Sequence, residues 1–333
     1  MEDAKLSERE TVLLIREMIG APAPGVRLGP GDDAAVFDFA DSGVILTIDA
    51  IFEGVHFSLD THGYSDVGWK AMASSISDIA AMGGQAACAL LSLSFGLPPG
   101  SVDVRALMAG ALEVAGRYGC PIVGGDVSSS GSGLGVTVMA AGCRGHAGVV
   151  LRSTACEGDL IGVTGELGDS AAGLAVLQSG SAGLRERYPT LVEAHLRPRP
   201  RLRAGELLAS CGVTSMEDVS DGLAADLNNI CRASGVGCEI RAADVPVGPE
   251  ARELASALGV DPLGWAFGGG EDYELLFTAP PERFAELEEA LGGYGVAVSK
   301  LGVVTPASSG ATVLAADGTV SVLEGGYDHF LRT

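Results

Sequence analysis

Residues 67–102 read VGWKAMASSISDIAAMGGQAACALLSLSFGLPPGSV and carry only two charges, Lys70 and Asp78. Apolar side chains recur at i, i+3 and i+4 across residues 66–83, which predicts a helix there. The run CALLSLSF (88–95) predicts a buried strand, and residues 101–117 predict an amphipathic helix. Because a helix with so few charges is expected to be covered on both sides, an ionised Asp78 within it needs a partner.

Strands and helices alternate on both sides of this stretch. An N-terminal helix is predicted with Ser7 as its N-cap and Glu10 completing a capping box. The Pro- and Gly-rich segment 20–37 is predicted to be an irregular loop. A β-branched strand follows at residues 44–52. Two further strands are predicted before residue 145, in PIVGGDV and GLGVTVMAAG.

The alternation restarts after a crossing segment at residues 145–157. Its predicted elements are the strands DLIGVTG and YELLFTA, the helices DSAAGLAVLQSG, RPRLRAGELLAS, DGLAADLNNICRAS and PERFAELEEALGG, and two short strands that close the chain. A chain of 333 residues suits two domains. We therefore predict the α+β (mixed α/β) class, with an N-terminal domain at 1–148 and a C-terminal domain at 149–333.

Composition excludes several classes of protein. The chain has 21 Lys and Arg against 43 Asp and Glu, a net charge of −22, so it lacks the basic footprint of a nucleic-acid binder. It contains no apolar run long enough to span a membrane and no apolar N-terminal signal. Its seven cysteines show no zinc-binding spacing. Together these features predict a cytoplasmic protein without nucleic-acid or membrane partners.

Carboxylates recur where predicted strands end or helices begin, most of them beside glycine or serine, and Asp78 adds one within the predicted helix 66–83. Asp49 ends the strand 44–52, and Asp126 follows two glycines that would let the backbone approach a ligand closely. The remaining members are Asp32 and Asp33 in GPGDDAAVF, Asp78, Asp218 and Asp221 around Ser220 in DVSDGLAADL, and Glu271 and Asp272 in FGGGEDYELLF. Converging carboxylates repel one another unless cations lie among them, and oxygen ligands of this kind suit Mg²⁺.

The residues alone therefore indicate a Mg²⁺-dependent enzyme that handles phosphate, since Mg²⁺ lets an acidic protein hold a nucleotide. Structural alternatives stay open at this point: a buried ion pair or a capping role for Asp78, and a helix N-cap for Ser220 or Asp221. The chain lacks a Walker A loop, a kinase H-R-D or D-F-G set, a dinucleotide fingerprint, a G-x-S-x-G elbow and H-E-x-x-H.

The sequence resembles the thiamine-monophosphate kinase family, within the aminoimidazole-ribonucleotide-synthetase superfamily. The matching segments run in family order from about residue 30 to 330: GDDAAVF, TIDAIFEGVHF, GWKAMASSISDIAAMGG, GGDV, LRSTACEGDLIGVTGELGDSAAGLAVL, HLRPRPRLRAGELL, DVSDGLAADLNNI, GGGEDYELLFT and GYDHF. EGVHF, SDIAAMGG and GGEDYELLF are more specific to the kinase than the shared GGD and SDG segments.

The resemblance implies a homodimer whose N-terminal domains pair through their sheets, with nucleotide and Mg²⁺ bound near that interface and the C-terminal domain completing the active site. It implies direct phosphoryl transfer from ATP to thiamine monophosphate, assisted by several Mg²⁺ ions. The implied metal ligands are Asp33, Thr47, Asp49, Asp78, Asp126, Asp218 and Asp221. The implied nucleotide contacts are Gly125, Asp126, Arg152 and Ser220, and the implied substrate contacts are His56 and Glu271.

The chain departs from the family pattern near its C-terminus. Related kinases often carry an aromatic residue three positions before the tyrosine of GYDHF, and here that position is Glu324. An aromatic side chain there could stack on the substrate ring. Whether Tyr327 takes its place is left open, and the Glu324 carboxylate could still attract the positive thiazolium. Two other functions stay open: another ATP-using enzyme of the superfamily, resembling those of purine biosynthesis, and a non-catalytic nucleotide- or thiamine-binding protein.

Overall fold

Two β-sheets organise the chain in a computed structural model that describes residues 26–28, 32–39, 42–145 and 147–327. The six-stranded first sheet has the order β1-β2-β3-β6-β4-β5. Its strands are β1 (Val26–Leu28), β2 (Ala35–Phe39), β3 (Ser42–Phe52), β4 (Gly84–Phe95), β5 (Ile122–Ser129) and β6 (Leu134–Arg144). Its neighbours are antiparallel except for the parallel pair β4 and β5.

The seven-stranded second sheet has the order β13-β12-β9-β11-β7-β10-β8. Its strands are β7 (Leu160–Thr164), β8 (Ser215–Asp218), β9 (Val236–Arg241), β10 (Leu275–Ala279), β11 (Val298–Pro306), β12 (Ala311–Leu314) and β13 (Val320–Val322). Only β9 and β12 run parallel. The predicted α+β class is confirmed.

Helices cover these sheets. They are α1 (Tyr64–Ala81), α2 (Ser101–Tyr118), α3 (Asp169–Gln178), α4 (Ala182–Arg187), α5 (Pro189–Leu196), α6 (Leu202–Ser210), α7 (Leu223–Ser234), α8 (Pro249–Leu258), α9 (Pro262–Gly268) and α10 (Phe284–Gly292). No helix in the described part of the chain is both long and apolar enough to cross a membrane.

Helix α1 lies at the centre of the molecule. Every residue from Val67 to Ala81 is buried except Asp78, which confirms the prediction that this helix is covered on both sides. The hydrophobic core around α1 includes side chains of α6, β10 and α10 from the second half of the chain, among them Leu208 and Phe277. The packing therefore joins the two halves, and the boundary at 148/149 stays a prediction.

Several predicted elements need correction. The segment 20–37, expected to be an irregular loop, contains β1 and the start of β2, and three strands rather than two follow α10. Strands β8 and β9 and helices α4, α5, α8 and α9 were not expected. The proposed N-cap at Ser220 or Asp221 is wrong, because helix α7 begins after Gly222. The N-terminal helix at Ser7 lies outside the described residues.

Candidate active site

Three carboxylates from distant parts of the chain converge beside α1. Asp33 precedes β2, Asp78 interrupts the buried surface of α1, and Asp218 ends β8. One oxygen atom of each lies within 4.8 Å of one oxygen of the other two. Three charges at this spacing repel by roughly 3 kcal/mol per pair at an effective dielectric of about 20. The cluster therefore fits a divalent cation, which would remove that repulsion.

Strand β3 brings Thr47 and Asp49 to the same place. Alternation along the strand turns Ile45, Thr47 and Ile51 towards the buried side, so Asp49 points the same way. The Thr47 hydroxyl donates a hydrogen bond to Asp78 Oδ2. Asp218 accepts a similar hydrogen bond, because the Ser77 hydroxyl of α1 donates to Asp218 Oδ2 at 2.5 Å.

Burial without a matching cation raises the pKa of these carboxyls. Desolvation is the largest cause for both Asp78 and Asp218, whose pKa values lie well above the ordinary value, and repulsion from the neighbouring aspartates adds to it. Burial also raises the pKa of Asp49, against a hydrogen bond from Ser74 that lowers it. The site thus favours neutral acids or a bound cation over bare negative charge.

The Arg152 guanidinium contacts carboxylates at the edge of this cluster and does not line the cavity described below. Its Nε donates to Asp33 Oδ2 at 3.0 Å and its Nη2 to Asp33 Oδ1 at 2.5 Å, and Nη2 lies 3.3 Å from Glu217 Oε1. Burial by itself would lower the pKa of Arg152, but Asp33, Glu217 and Asp32 outweigh it and raise that pKa. Burial and repulsion from Asp33 raise the pKa of Asp32 to about 7.

A cavity of about 530 Å³ opens directly onto these acids. Asp49, Asp78 and Asp218 line one part of it, and Ser220 and Asp221 lie in the same wall. The predicted substrate residues His56 and Glu271 also line it. The structure therefore brings four of the seven predicted metal ligands and both predicted substrate residues to one cavity, but only Ser220 of the four predicted nucleotide contacts.

Glu271 is held in place by a buried lysine. Lys70 Nζ lies 2.9 Å from Glu271 Oε2 and is fully buried, and the same Nζ donates to the His56 carbonyl at 3.3 Å. Glu271 has a positive φ of 58°, and its N–H donates to the Ser220 carbonyl at 2.8 Å. The pair thus fixes the Glu271 carboxylate at the cavity wall.

Gly125 and Asp126 lie apart from the cluster. They belong to the edge strand β5, and Asp126 is exposed. Across the sheet, Asp126 pairs with Ser92, Ser92 with Thr137, and Thr137 with Ala50, so these four side chains share one face. Asp49 precedes Ala50 in β3, so its side chain lies on the opposite face from Asp126. A Cβ at Gly125 would lie 1.8 Å from the Leu91 carbonyl, which gives this glycine a packing role.

At the C-terminus Tyr327 reaches the cavity and Glu324 does not line it. The Tyr327 N–H donates to the Asp221 carbonyl at 3.0 Å, and Tyr327 lies in the cavity wall. Glu324 is exposed. Of Glu324 and Tyr327, it is Tyr327 that lines the cavity.

Sequence reasoning missed several side chains of this site. They are Lys70, His62, His195, Glu217, Asp226 and Tyr273. Lys70 carried a usable signal, as one of two charges in an apolar stretch. Tyr273 has a positive φ of 51° and lines the cavity, but nothing in the flanking segment GGGEDYELLF indicated that conformation.

Comparisons with known proteins agree with this geometry. The model of the AIR synthase related protein N-terminal domain matches residues 31–144, and that of the C-terminal domain matches residues 157–314. The chain is 36% identical over 310 residues to the thiamine-monophosphate kinase of Bacillus subtilis, covering 92% of this chain and 94% of that one. It is 40% identical over 272 residues to the thiamine-monophosphate kinase of Mycobacterium tuberculosis, covering 80% of each chain.

A solved structure shows the same similarity in three dimensions. The structure of AaThiL complexed with AMPPCP and TMP superposes with a TM-score of 0.87 at 31% identity, covering 99% of this chain and 100% of that one. That protein thus holds an ATP analogue together with TMP in a fold that this chain shares along its whole length.

Proposed function

The chain belongs to the thiamine-monophosphate kinase family, as the sequence resemblance predicted, and from this premise we propose that it transfers the γ-phosphoryl group of ATP to the phosphate of thiamine monophosphate, forming thiamine diphosphate and ADP. The observation that carries the proposal is the cluster of Asp33, Asp78 and Asp218 beside a cavity that also contains His56 and Glu271. The cavity thus combines carboxylates that would hold the cations of bound phosphates with a further carboxylate, Glu271, for an organic cation.

The donor set fits Mg²⁺. Oxygen ligands at this spacing suit a hard divalent cation, which would offset the burial and mutual repulsion that raise the pKa values of Asp78 and Asp218. We propose that Mg²⁺ ions are held by Asp33, Thr47, Asp49, Asp78, Asp218 and Asp221, whereas Asp126 lies on the opposite face of the sheet and does not join them within one chain. Bound there, Mg²⁺ would neutralise and align the phosphate oxygens.

The chain's own groups position the two substrates. The Ser220 segment lines the cavity beside Asp218 and would contact the nucleotide. Gly125 and Arg152, the other two nucleotide contacts that the resemblance implies beside Asp126, do not line this cavity. Glu271, held by Lys70, would face the thiazolium, and His56, whose carbonyl accepts from the same Lys70, would also contact the substrate. Phosphoryl transfer asks for alignment and charge neutralisation more than covalent help, and this arrangement supplies both.

A homodimer is part of the proposal. The face of the first sheet that turns away from α1 and α2 exposes large apolar side chains, which we call the open face: Leu46, Ile48, Phe52 and Leu90. A contiguous apolar face of this kind marks an interaction surface. Pairing of two open faces would also cover Asp126, and it would bring this edge of the sheet close to the partner chain.

The proposal is tested with the purified protein, ATP, Mg²⁺ and thiamine monophosphate. We expect thiamine diphosphate and ADP in equal amounts, separated by chromatography, and no product when EDTA removes the metal. Recovery of unchanged thiamine monophosphate at saturating Mg²⁺, with nucleotide still bound in a calorimetric titration, would instead support a non-catalytic binding protein. Turnover of purine-pathway substrates alone would support a different ATP-using enzyme.

A further inference from the structure

Helix α3 supplies one wall of the cavity, and this wall has no role in the transfer described above. Leu174 and Gln178 both line the cavity. They are four residues apart, so they share one face of the helix, with Ser170 on the same face one turn nearer the N-terminus. Gln178 is exposed, and its side-chain amide is the only one among the described residues that line the cavity. This wall therefore presents an apolar surface that ends in a carboxamide.

The N-terminal end of α3 lies beside Glu271. Ser170 Oγ lies 3.1 Å from His195 Nδ1, and the same Nδ1 lies 3.5 Å from Glu271 Oε2. Asp272, the residue after Glu271, accepts a hydrogen bond from the Ser170 N–H at 3.1 Å. A helix rises 1.5 Å per residue, so Gln178 lies about 12 Å along the axis from Ser170. The wall thus runs from a carboxylate at one end to a carboxamide at the other.

The charges of the cavity wall lie on its acids. In the described part of the chain, the acidic residues that line the cavity are Asp49, Asp78, Asp218, Asp221 and Glu271. The two histidines that line it add no positive charge. Burial, followed by the charge of Lys70, lowers the pKa of His62 to about 4, and the same causes lower that of His195 to about 2. The stretch from Leu174 to Gln178 is therefore uncharged and suits a neutral polar ring.

The Gln178 amide is free to pair with a ligand. Its side chain forms no hydrogen bond with any other described residue. A carboxamide carries a carbonyl acceptor beside an N–H donor. It therefore pairs through two hydrogen bonds with an amino group that lies next to a ring nitrogen, as Asn and Gln do with adenine. The aminopyrimidine ring of thiamine has this arrangement, and so does the adenine ring of ATP.

We propose that Gln178 is a specificity residue for thiamine monophosphate, whose aminopyrimidine ring packs on Leu174 and pairs with the carboxamide through its amino group and the adjacent ring nitrogen. This inference rests on the proposed function, because that function places the thiazolium at Glu271. The aminopyrimidine, joined to the thiazolium by one methylene group, then extends along α3. Adenine is the less favoured source of the same groups, because two predicted nucleotide contacts, Gly125 and Arg152, do not line this cavity.

The test compares thiamine monophosphate with an analogue in which a benzene ring replaces the aminopyrimidine. We expect the wild-type kcat/KM to favour thiamine monophosphate by about tenfold or more, because only the natural ring pairs with the amide. In Gln178→Leu this preference should fall to within about threefold, mainly through KM, since the ring lies away from the transferred phosphoryl group. Gln85→Leu, a matched change at an exposed position of β4 that does not line the cavity, should keep the wild-type preference. A preference that survives in Gln178→Leu would overturn the inference.

Two further measurements separate the two sources of the amino group, and this inference from the proposed function. Inosine triphosphate has a carbonyl oxygen in place of the adenine amino group, and its kcat/KM relative to ATP should be the same in Gln178→Leu as in the wild type. A change in that ratio alone would show that the amide reads adenine and would overturn the inference. Calorimetric titration without ATP should show the preference for thiamine monophosphate over the benzene analogue, and equal wild-type affinities would overturn it too. A binding preference that Gln178→Leu abolishes, without any turnover, would overturn the proposed kinase activity alone.

Discussion

Asp78 is the one residue that breaks the buried surface of α1, and its neighbours explain why a carboxylate is tolerated there. The Thr47 hydroxyl donates to it, while Asp33 and Asp218 lie close enough to repel it. Such an arrangement costs free energy in the metal-free protein, and a bound cation would turn the cost into stabilisation. Replacing the Asp78 carboxylate by a neutral side chain should therefore lower activity without lowering the stability of the metal-free protein.

Asp78→Asn is expected to lower kcat/KM at least about a hundredfold, because the proposed ligand set for Mg²⁺ loses a charge. The metal-free variant should melt at or above the temperature of the wild type, since repulsion within the cluster falls while the Asn oxygen still accepts from Thr47. Thermal unfolding with and without Mg²⁺ measures both effects. Near-normal activity at low Mg²⁺ would count against the ligand role, and Asp244→Asn, an exposed matched change, should behave as wild type.

Raised carboxyl pKa values give the metal-free protein a characteristic pH dependence. Burial is the main cause that raises the pKa of Asp272 to about 8 and that of Asp169 to about 7. Both pKa values lie above that of an Asp in the unfolded chain, about 3.9. The folded state then holds protons that the unfolded state has released. Stability from these groups is present below the unfolded pKa and is lost as pH rises through the folded pKa.

We expect the unfolding free energy of the metal-free protein to fall between pH 6.5 and 8. Each retained proton contributes a slope of about 1.4 kcal/mol per pH unit. The window starts at about 6.5 because the lowered pKa values of His62 and His195 act in the opposite direction below it. Denaturant titrations in EDTA measure the slope. It should become shallower in Asp272→Asn, whose amide replaces a protonated carboxyl, and a rise of stability over this window would contradict the assignment.

Among single site residues, those that the sequence predicted are the ones whose sequence neighbours are of an unexpected type. Asp49 and Asp78 stand out because they are charged in apolar stretches, and both line the cavity. The pair Lys70–Glu271 was not predictable, because its partners lie 201 residues apart in the chain. The ion pair of Arg152 with Asp33 has the same origin, since only the folded chain shows that carboxylates already surround this guanidinium.

At the scale of elements, periodicity identified the long helices and the buried strands. It missed β8 because the four residues Ser215–Asp218 are too short and too polar to show a strand pattern. Their strand conformation comes from pairing with β10, and that pairing places Asp218 opposite Leu275, beside α1. An element that a neighbour imposes carries no local signal, although it delivers one of the three clustered acids.

The position of α1, and of Asp78 with it, depends on close contact with α2. A Cβ at Gly110 of α2 would lie 1.8 Å from the Ser65 carbonyl of α1. We therefore expect Gly110→Ala to destabilise the protein by about 1–3 kcal/mol and to lower activity, because the helices must move apart. Gly116→Ala is the matched control on the same helix. Its Cβ meets nothing within 4 Å, so it should stabilise by about 0.5–1 kcal/mol. Equal effects in denaturant unfolding would contradict the close-contact explanation.

For the whole molecule, the open face is the largest feature that a single chain leaves unexplained. Ile48 is 67% exposed and Phe52 47% exposed in the middle strand β3, where side chains on the other face are buried. An alternating strand with both sides apolar is typical of a sheet covered on each side. Covering this face with a second copy would account for the pattern and would also bury the exposed edge strand β5.

Ile48→Glu is expected to convert the dimer into a monomer, because it places a charge in the centre of each of the two paired open faces. Light scattering after gel filtration should give twice the 33.6 kDa chain mass for the wild type and the single chain mass for the variant. Leu97→Glu provides the control, since Leu97 is 82% exposed in the loop after β4, outside the open face, and should leave the dimer intact. Because nucleotide is expected to bind near the interface, the monomeric variant should also bind ATP more weakly. In the wild type, affinity for ATP should fall over the same range of protein concentration in which the dimer dissociates. A monomeric wild type with full activity would show instead that one chain's cavity is sufficient.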